Sequence, residues 1–211
     1  MFRGVNRHLN NPWKASFTIK HLVFHSICTT FAGDLAKKQK KLMMQDNKEE
    51  LFPIVDEEGQ VVGKATRGKC HDGSKLLHPV VHLHVFNSKG ELYLQKRPEW
   101  KDIQPGKWDT AVGGHLDYGE TAEEALVREV REELGITDFT PQRLAMYVFE
   151  SRRERELVYV FRTVYDGEIH PSDELDGGRF WTIDEIRDAI GQGVLTPNFE
   201  SEFQKISLAC D

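Results

Sequence analysis

No stretch of the 211-residue chain approaches the roughly 18 consecutive apolar residues that a membrane-spanning helix needs. Neither a spanning segment nor a membrane partner is expected. Cysteine is scarce: Cys28, Cys70 and Cys210 are an odd number with neither metal-ligand nor redox spacing. That argues against a disulfide framework and fits a reducing, cytoplasmic compartment. Basic charge is not in excess. The formal net charge is -6, so the cationic footprint of a nucleic-acid binder is missing and no nucleic-acid partner is expected. A nucleotide substrate stays open, because a bound divalent cation can offset phosphate charge locally. Internal repeats and low-complexity tracts are absent too. What is present, 39% hydrophobic and 29% charged residues, suits one domain of ordinary size with a substantial core.

The first 47 residues differ from the rest. They are basic, with a cationic cluster from Lys37 to Lys41 just before Met43 and Met44. Three readings stand: a targeting segment, a surface arm, or an upstream extension of a chain that starts at Met43 or Met44. The run Leu22 to Cys28 is interrupted by His25 and Ser26, and no convincing cleavage signal follows, so the last two are preferred. A domain is expected over residues 48–211.

From Leu51 the pattern alternates strands and helices. Leu51–Val55 and Gln60–Lys64 flank Glu57-Glu58-Gly59 as a hairpin. Val80–Phe86 and Leu92–Gln95 flank the turn Asn87 to Gly90. Trp108–Val112 is predicted as a short strand ending before Gly113-Gly114, and Leu144–Glu150 and Leu157–Tyr165 as two more strands. Helices are predicted at Thr121–Leu134, Ile183–Ile190 and Phe199–Leu208. Mixed strands with few helices make the expected fold class α/β, a sandwich around a mixed sheet.

The helix after Thr121 is the best specified. Thr121 can cap it, and Glu124 three residues later completes a capping box. Ala122, Ala125, Leu126, Val130 and Leu134 form an apolar stripe, and Gly135 is a C-terminal stop. The other face is unusual. Glu129, Glu132 and Glu133 stand three and four apart, which gathers like charges at a cost of a few tenths of a kcal/mol per exposed pair. A hard divalent cation reverses that sign, since Mg²⁺ prefers carboxylate oxygens. Arg128 can pair with Glu124 or Glu132 and hold a carboxylate in place. Taken alone, these glutamates fit an ordinary solvated helix face better than a metal site.

The whole segment GHLDYGETAEEALVREVREELGI, Gly114 to Ile136, decides between the two. It matches G-x(5)-E-x(7)-R-E-U-x-E-E-x-G-U, with U aliphatic, at Gly114, Glu120, Arg128, Glu129, Val130, Glu132, Glu133, Gly135 and Ile136. At roughly 7% usage per residue type, a chance match in this chain is on the order of one in ten million. The segment resembles the signature of the Nudix hydrolases, and the resemblance covers roughly Leu51 to Leu208. It implies an α/β/α sandwich with a mixed sheet, and hydrolysis of a nucleoside diphosphate linked to another moiety. It further implies Mg²⁺ or Mn²⁺ bound by Glu129, Glu132 and Glu133, support from Glu120, and orientation of a glutamate by Arg128. Gly113 and Gly114 are expected to let the backbone turn tightly against the phosphates. The implied partner is a small-molecule diphosphate, and many family members are homodimers.

The surroundings also resemble isopentenyl-diphosphate isomerase, which shares the Nudix fold. His71 and His78 in CHDGSKLLH, His115 seven residues after Trp108, and Glu154 and Glu156 match its metal ligands. They are candidates for a second metal position, with Glu156 also a candidate base. Arg97 and Lys101 match its diphosphate-binding residues. As plain features these would be loop histidines, a turn glutamate and surface charges. One departure favours the hydrolase: the isomerase needs a catalytic cysteine five residues after the tryptophan, and Gly113 stands there. An isomerase-like enzyme and a non-catalytic nucleotide-sensing module remain the alternatives.

Smaller expectations complete the reading. Glu174 is a candidate accessory acid or a solvated loop residue. Arg152, Arg153 and Arg155 read as a charged hairpin tip rather than a phosphate contact. His82 and His84 share one face of a strand, and a structural role is favoured over lining a cleft.

Overall fold

The computed structural model describes residues 47–207 other than Asp102, and the expectations for residues 1–46 and for Cys28 and Cys210 lie outside them. The chain opens with β1 (Leu51–Val55) and β2 (Val61–Thr66), an antiparallel pair. A short helix α1 (Arg67–Cys70) follows, capped by Thr66, whose side chain accepts from the Lys69 N–H. The ten-residue strand β3 (Leu77–Phe86) then forms the centre of a second sheet. It pairs in parallel along its whole length with β8 (Arg155–Val164). It also pairs antiparallel with β4 (Leu92–Lys96) at one end and β6 (Val112–His115) nearer the other. The strand β5 (Trp108–Asp109) and the strand β9 (Gly178–Trp181) pair with β4, and β7 (Gln142–Glu150) pairs with β8. This is the expected mixed sheet.

Side chains alternate across β3 with period two, and both faces are covered. Val81, Leu83 and Val85 pack on the buried stripe of α2 (Ala122–Leu134), namely Ala122, Ala125, Leu126, Val130 and Leu134. Val80, with Val158 and Val160 of β8, packs against Ile186 of α3 (Ile183–Ala189) and Phe199 and Phe203 of α4 (Pro197–Ser207). The fold is therefore an α/β/α sandwich. Helix α2 starts as its sequence dictates: the Thr121 hydroxyl accepts from the Glu124 N–H and the Glu124 carboxylate accepts from the Thr121 N–H. It stops at Gly135, whose φ of 69° is left-handed and natural for glycine.

Two expectations are corrected. Trp108–Val112 is not one strand: β5 pairs with β4, Thr110 and Ala111 step across, and β6 pairs with β3. Polar bonds fix the step. Asp109 accepts from the Thr110 N–H and the Thr196 hydroxyl, while the Thr110 hydroxyl donates to the Leu83 carbonyl. Nor do Gly113 and Gly114 make a tight turn. Both lie inside β6, pairing with His82 and Val81, and neither has a positive φ. β9 and α1 were not predicted; both are only four residues long, too short for periodicity to register.

Candidate active site

Arg128 organises the carboxylates of α2. Its Nε and Nη2 grip Glu120 Oε1 and Oε2 at 2.8 Å each, and Nη1 donates to Glu129 Oε1 at 2.8 Å. Nη1 also reaches Glu132 at 3.5 Å, and Nη2 donates to the His115 carbonyl at 3.0 Å. Glu120 accepts from the Asp117 N–H as well, and the Arg128 guanidinium holds its carboxyl below the usual range. Two glutamates are strained by their setting. Burial pushes Glu129 up despite Arg128, and pushes Glu133 well above the ordinary range, with Glu129 adding to it. The nearby Gly113 backbone counters part of the Glu133 shift, while Glu133 Oε2 is closed from solvent with no hydrogen-bond partner. Glu132 is about half exposed, and exposed Glu174 lies near enough to raise both buried carboxylates. The role of Gly114 is space: a Cβ there would overlap the Glu129 carboxyl.

A second cluster gathers histidines. One ligand nitrogen each from His71, His78 and His115 fall within 4.8 Å of one another. His71 Nε2 and His115 Nε2 stand 3.1 Å apart, with Glu154 3.8 Å from the first and Glu156 3.9 Å from the second. His78 is fully buried; its Nδ1 lies 2.9 Å from the Leu76 carbonyl, and its Nε2 has no partner. The buried ring of Phe52 stacks on His115 at 4.4 Å and on His78 at 5.8 Å, fixing their planes. Burial, then the neighbouring Arg67 and the other histidines, holds His115 well below its usual value. Burial, then Glu154, raises Glu156 to about 8. Imidazole and carboxylate donors gathered in this way suit a divalent transition metal.

Strand β6 divides the two clusters. The Cβ direction of Gly114 leads to Glu129, whereas that of Gly113 leads to His82, with Cδ2 at 3.6 Å and Nε2 at 3.7 Å. By the same alternation His115 lies on the side of Gly113. On that side His82 Nδ1 meets Glu202 of α4 at 2.9 Å, and Glu202 also accepts from His84 and the Tyr147 hydroxyl. Burial alone would lower His82, but Glu202 outweighs it and raises the imidazole to about 9. Burial would raise Glu202, but the histidines hold it well below its usual value.

A family model described as the NUDIX domain matches residues 76–199, more than half of the chain. The chain belongs to the Nudix family. Among Nudix relatives, an uncharacterized Nudix hydrolase of Pseudomonas aeruginosa is 33% identical over 132 residues, 62% of this chain and 78% of that protein. An isopentenyl-diphosphate Delta-isomerase of Mycolicibacterium vanbaalenii is 30% identical over 146 residues, 66% of this chain and 80% of that one. A crystal structure from Deinococcus radiodurans superposes with a TM-score of 0.65 at 26% identity, covering 74% of this chain and 98% of its own. In this Nudix frame the residues of the signature meet on one side of β6, and the histidines and the two strand glutamates meet on the other. Arg97 is turned to its own loop: it donates to the Ile103 carbonyl and to Asp109. Lys101 lies over the Trp100 ring, and its charge reaches Glu133. Glu202 was missed. Its signal was a charge beside Phe203 and three residues after Phe199, on the stripe that α4 buries.

Proposed function

We propose that this chain hydrolyses the diphosphate linkage of a small molecule, a nucleoside diphosphate joined to a further group, with Mg²⁺ or Mn²⁺ held by Glu129, Glu132 and Glu133. The observation that carries the reading is the unpartnered, buried Glu133 Oε2 within a crowd of carboxylates. A protein gains nothing from burying such an oxygen unless a cation answers it. When bound, the cation neutralises diphosphate oxygens and acidifies the attacking water. Arg128 fixes the rotamers of Glu129 and Glu120, and Gly114 admits the Glu129 carboxyl against the strand. Glu132 and Glu156 are the candidate bases, and Glu174 an accessory acid. Turnover of a panel of nucleoside and sugar diphosphates, followed by phosphate and pyrophosphate release with and without Mg²⁺, tests the reading. Turnover in wild type that persists undiminished in Glu133→Gln would overturn the metal-helix mechanism.

A second reading has one specific support: His71, His78, His115, Glu154 and Glu156 converge as the isomerase resemblance implies. Against it, Gly113 supplies no acid to protonate an alkene. Conversion of isopentenyl diphosphate to its allylic isomer by the wild-type protein would reverse the choice. Within the hydrolase reading, the same five residues are a candidate second metal position.

A further inference from the structure

The His82 side chain is held like a tool rather than like filler. Its Nδ1 side is fixed at 2.9 Å to Glu202, a carboxylate that three donors keep charged. Its other nitrogen, Nε2, has no partner among the described residues, and the side chain keeps 11% of its surface open. Nε2 lies beside Gly113. The glycine is exposed, and Nε2 would stand 3.7 Å from a Cβ built there. The Gly113 backbone also lies near enough to Glu133, one of the carboxylates assigned to the cation, to counter part of its upward shift. A diphosphate neutralised by that cation would therefore carry anionic oxygens to the rim where Nε2 points. His84, fully buried one step further along β3, has no such outlet and completes the support of Glu202.

We propose that His82 is a substrate-binding residue whose Nε2–H donates to an anionic phosphate oxygen lying over Gly113. The inference rests on the reading of the site as a diphosphate hydrolase and assigns that site a cationic donor from outside the signature helix. With Glu202 raising the imidazole to about 9, the ring carries both protons at neutral pH, so Nδ1–H serves Glu202 and Nε2–H is left to donate. The titratable groups facing the ring are Glu202, Glu156 and Asp109, with His115 beside them, and a charge-assisted bond to phosphate is the strong kind.

Methylenediphosphonate, a diphosphate mimic that cannot be hydrolysed, is the probe. Calorimetry in excess Mg²⁺ compares wild type, His82→Phe and His82→Gln, with circular dichroism to confirm folding. His82→Phe is expected to bind about tenfold or more weakly, and His82→Gln to recover part of the loss through its amide donor. In ¹⁵N-histidine-labelled wild type, the His82 Nε2 resonance is expected to shift on titration of the probe, a result that stands even where a variant fails to fold. Binding undiminished in His82→Phe with a stationary Nε2 signal would overturn this inference alone. Wild type that binds no methylenediphosphonate would overturn it together with the hydrolase reading.

Discussion

Arg128 spends its donors on Glu120, Glu129, Glu132 and the His115 carbonyl, a planar fork serving several acceptors at once. Lysine keeps the charge and loses the fork. Arg128→Lys is expected to fold, to need more Mg²⁺ for half-maximal rate, and to lose about 10–100-fold in kcat, the usual cost of removing a ligand's support. An unchanged Mg²⁺ dependence would remove Arg128 from the site. Glu133→Gln should separate function from stability. The amide is the size of the carboxyl and lacks the charge that burial disfavours. Activity should fall by more than about 100-fold, since a ligand outranks its support, while the metal-free protein melts no lower than wild type. The His82–Glu202 pair gives the pH dependence. His82 is raised from 6.5 to about 9 in the fold, so its contribution is fully present below pH 6.5 and is lost as pH rises through about 9. Glu202 is depressed, so its contribution is present above about 4.5 and is lost as pH falls through its lower folded value. Denaturant unfolding of metal-free protein from pH 6 to 10 should show a loss of order 3 kcal/mol from His82. Glu156, raised to about 8, adds to the decline at its acid end, so the comparison with Glu202→Gln isolates the pair: a slope as steep in that variant as in wild type contradicts the assignment.

At the scale of elements, α2 and β6 work as a unit, and single substitutions on each should have opposite signatures. Thr121→Ala removes the cap and should cost about 1 kcal/mol of stability while leaving kcat at 25 °C nearly unchanged, because the carboxylates sit beyond the first turn. Gly114→Ala should do the reverse. Its Cβ meets the end of a flexible side chain, so the fold yields cheaply, but the Glu129 carboxyl must leave its place. Thermal melts paired with kcat for both variants check this, and equal activity losses in the two would break the distinction. These elements also show which parts of the fold were legible. Helix α2 was readable because cap, stripe and stop are all local in sequence. The break between β5 and β6 was not, since it depends on pairing with two different strands and on Thr196, far along the chain. The tight turn expected of the glycines is absent: Gly114 is small to admit Glu129, not to turn the chain. The tie between Glu202 and His82 spans 120 residues, and no local pattern announces such a pair.

On the scale of the molecule, the carboxylates and the histidines lie on opposite sides of β6, and their chemistry differs. Both sets were legible as residue types at motif spacing; that a single strand separates them was not, because it follows from side-chain alternation in a strand whose limits were mispredicted. Oxygen-only Glu129, Glu132 and Glu133 suit Mg²⁺, whereas three imidazoles with Glu154 and Glu156 suit a transition metal such as Zn²⁺ or Mn²⁺. His78 Nε2 is buried without a partner, so a metal there would repair a cost already built into the fold. Binding at about a hundred times Kd stabilises by about 2.7 kcal/mol, and at roughly 2–4 °C per kcal/mol for a domain of this size Zn²⁺ should raise the melting temperature by about 5–10 °C. His78→Asn and His115→Asn should each abolish that shift, and Glu133→Gln should leave it intact. Mg²⁺ should keep supporting turnover in the two histidine variants if the positions act independently. A Zn²⁺ shift that survives both histidine substitutions, or that disappears with Glu133→Gln, would place the metal on the signature helix and leave the histidine cluster as packing around Phe52.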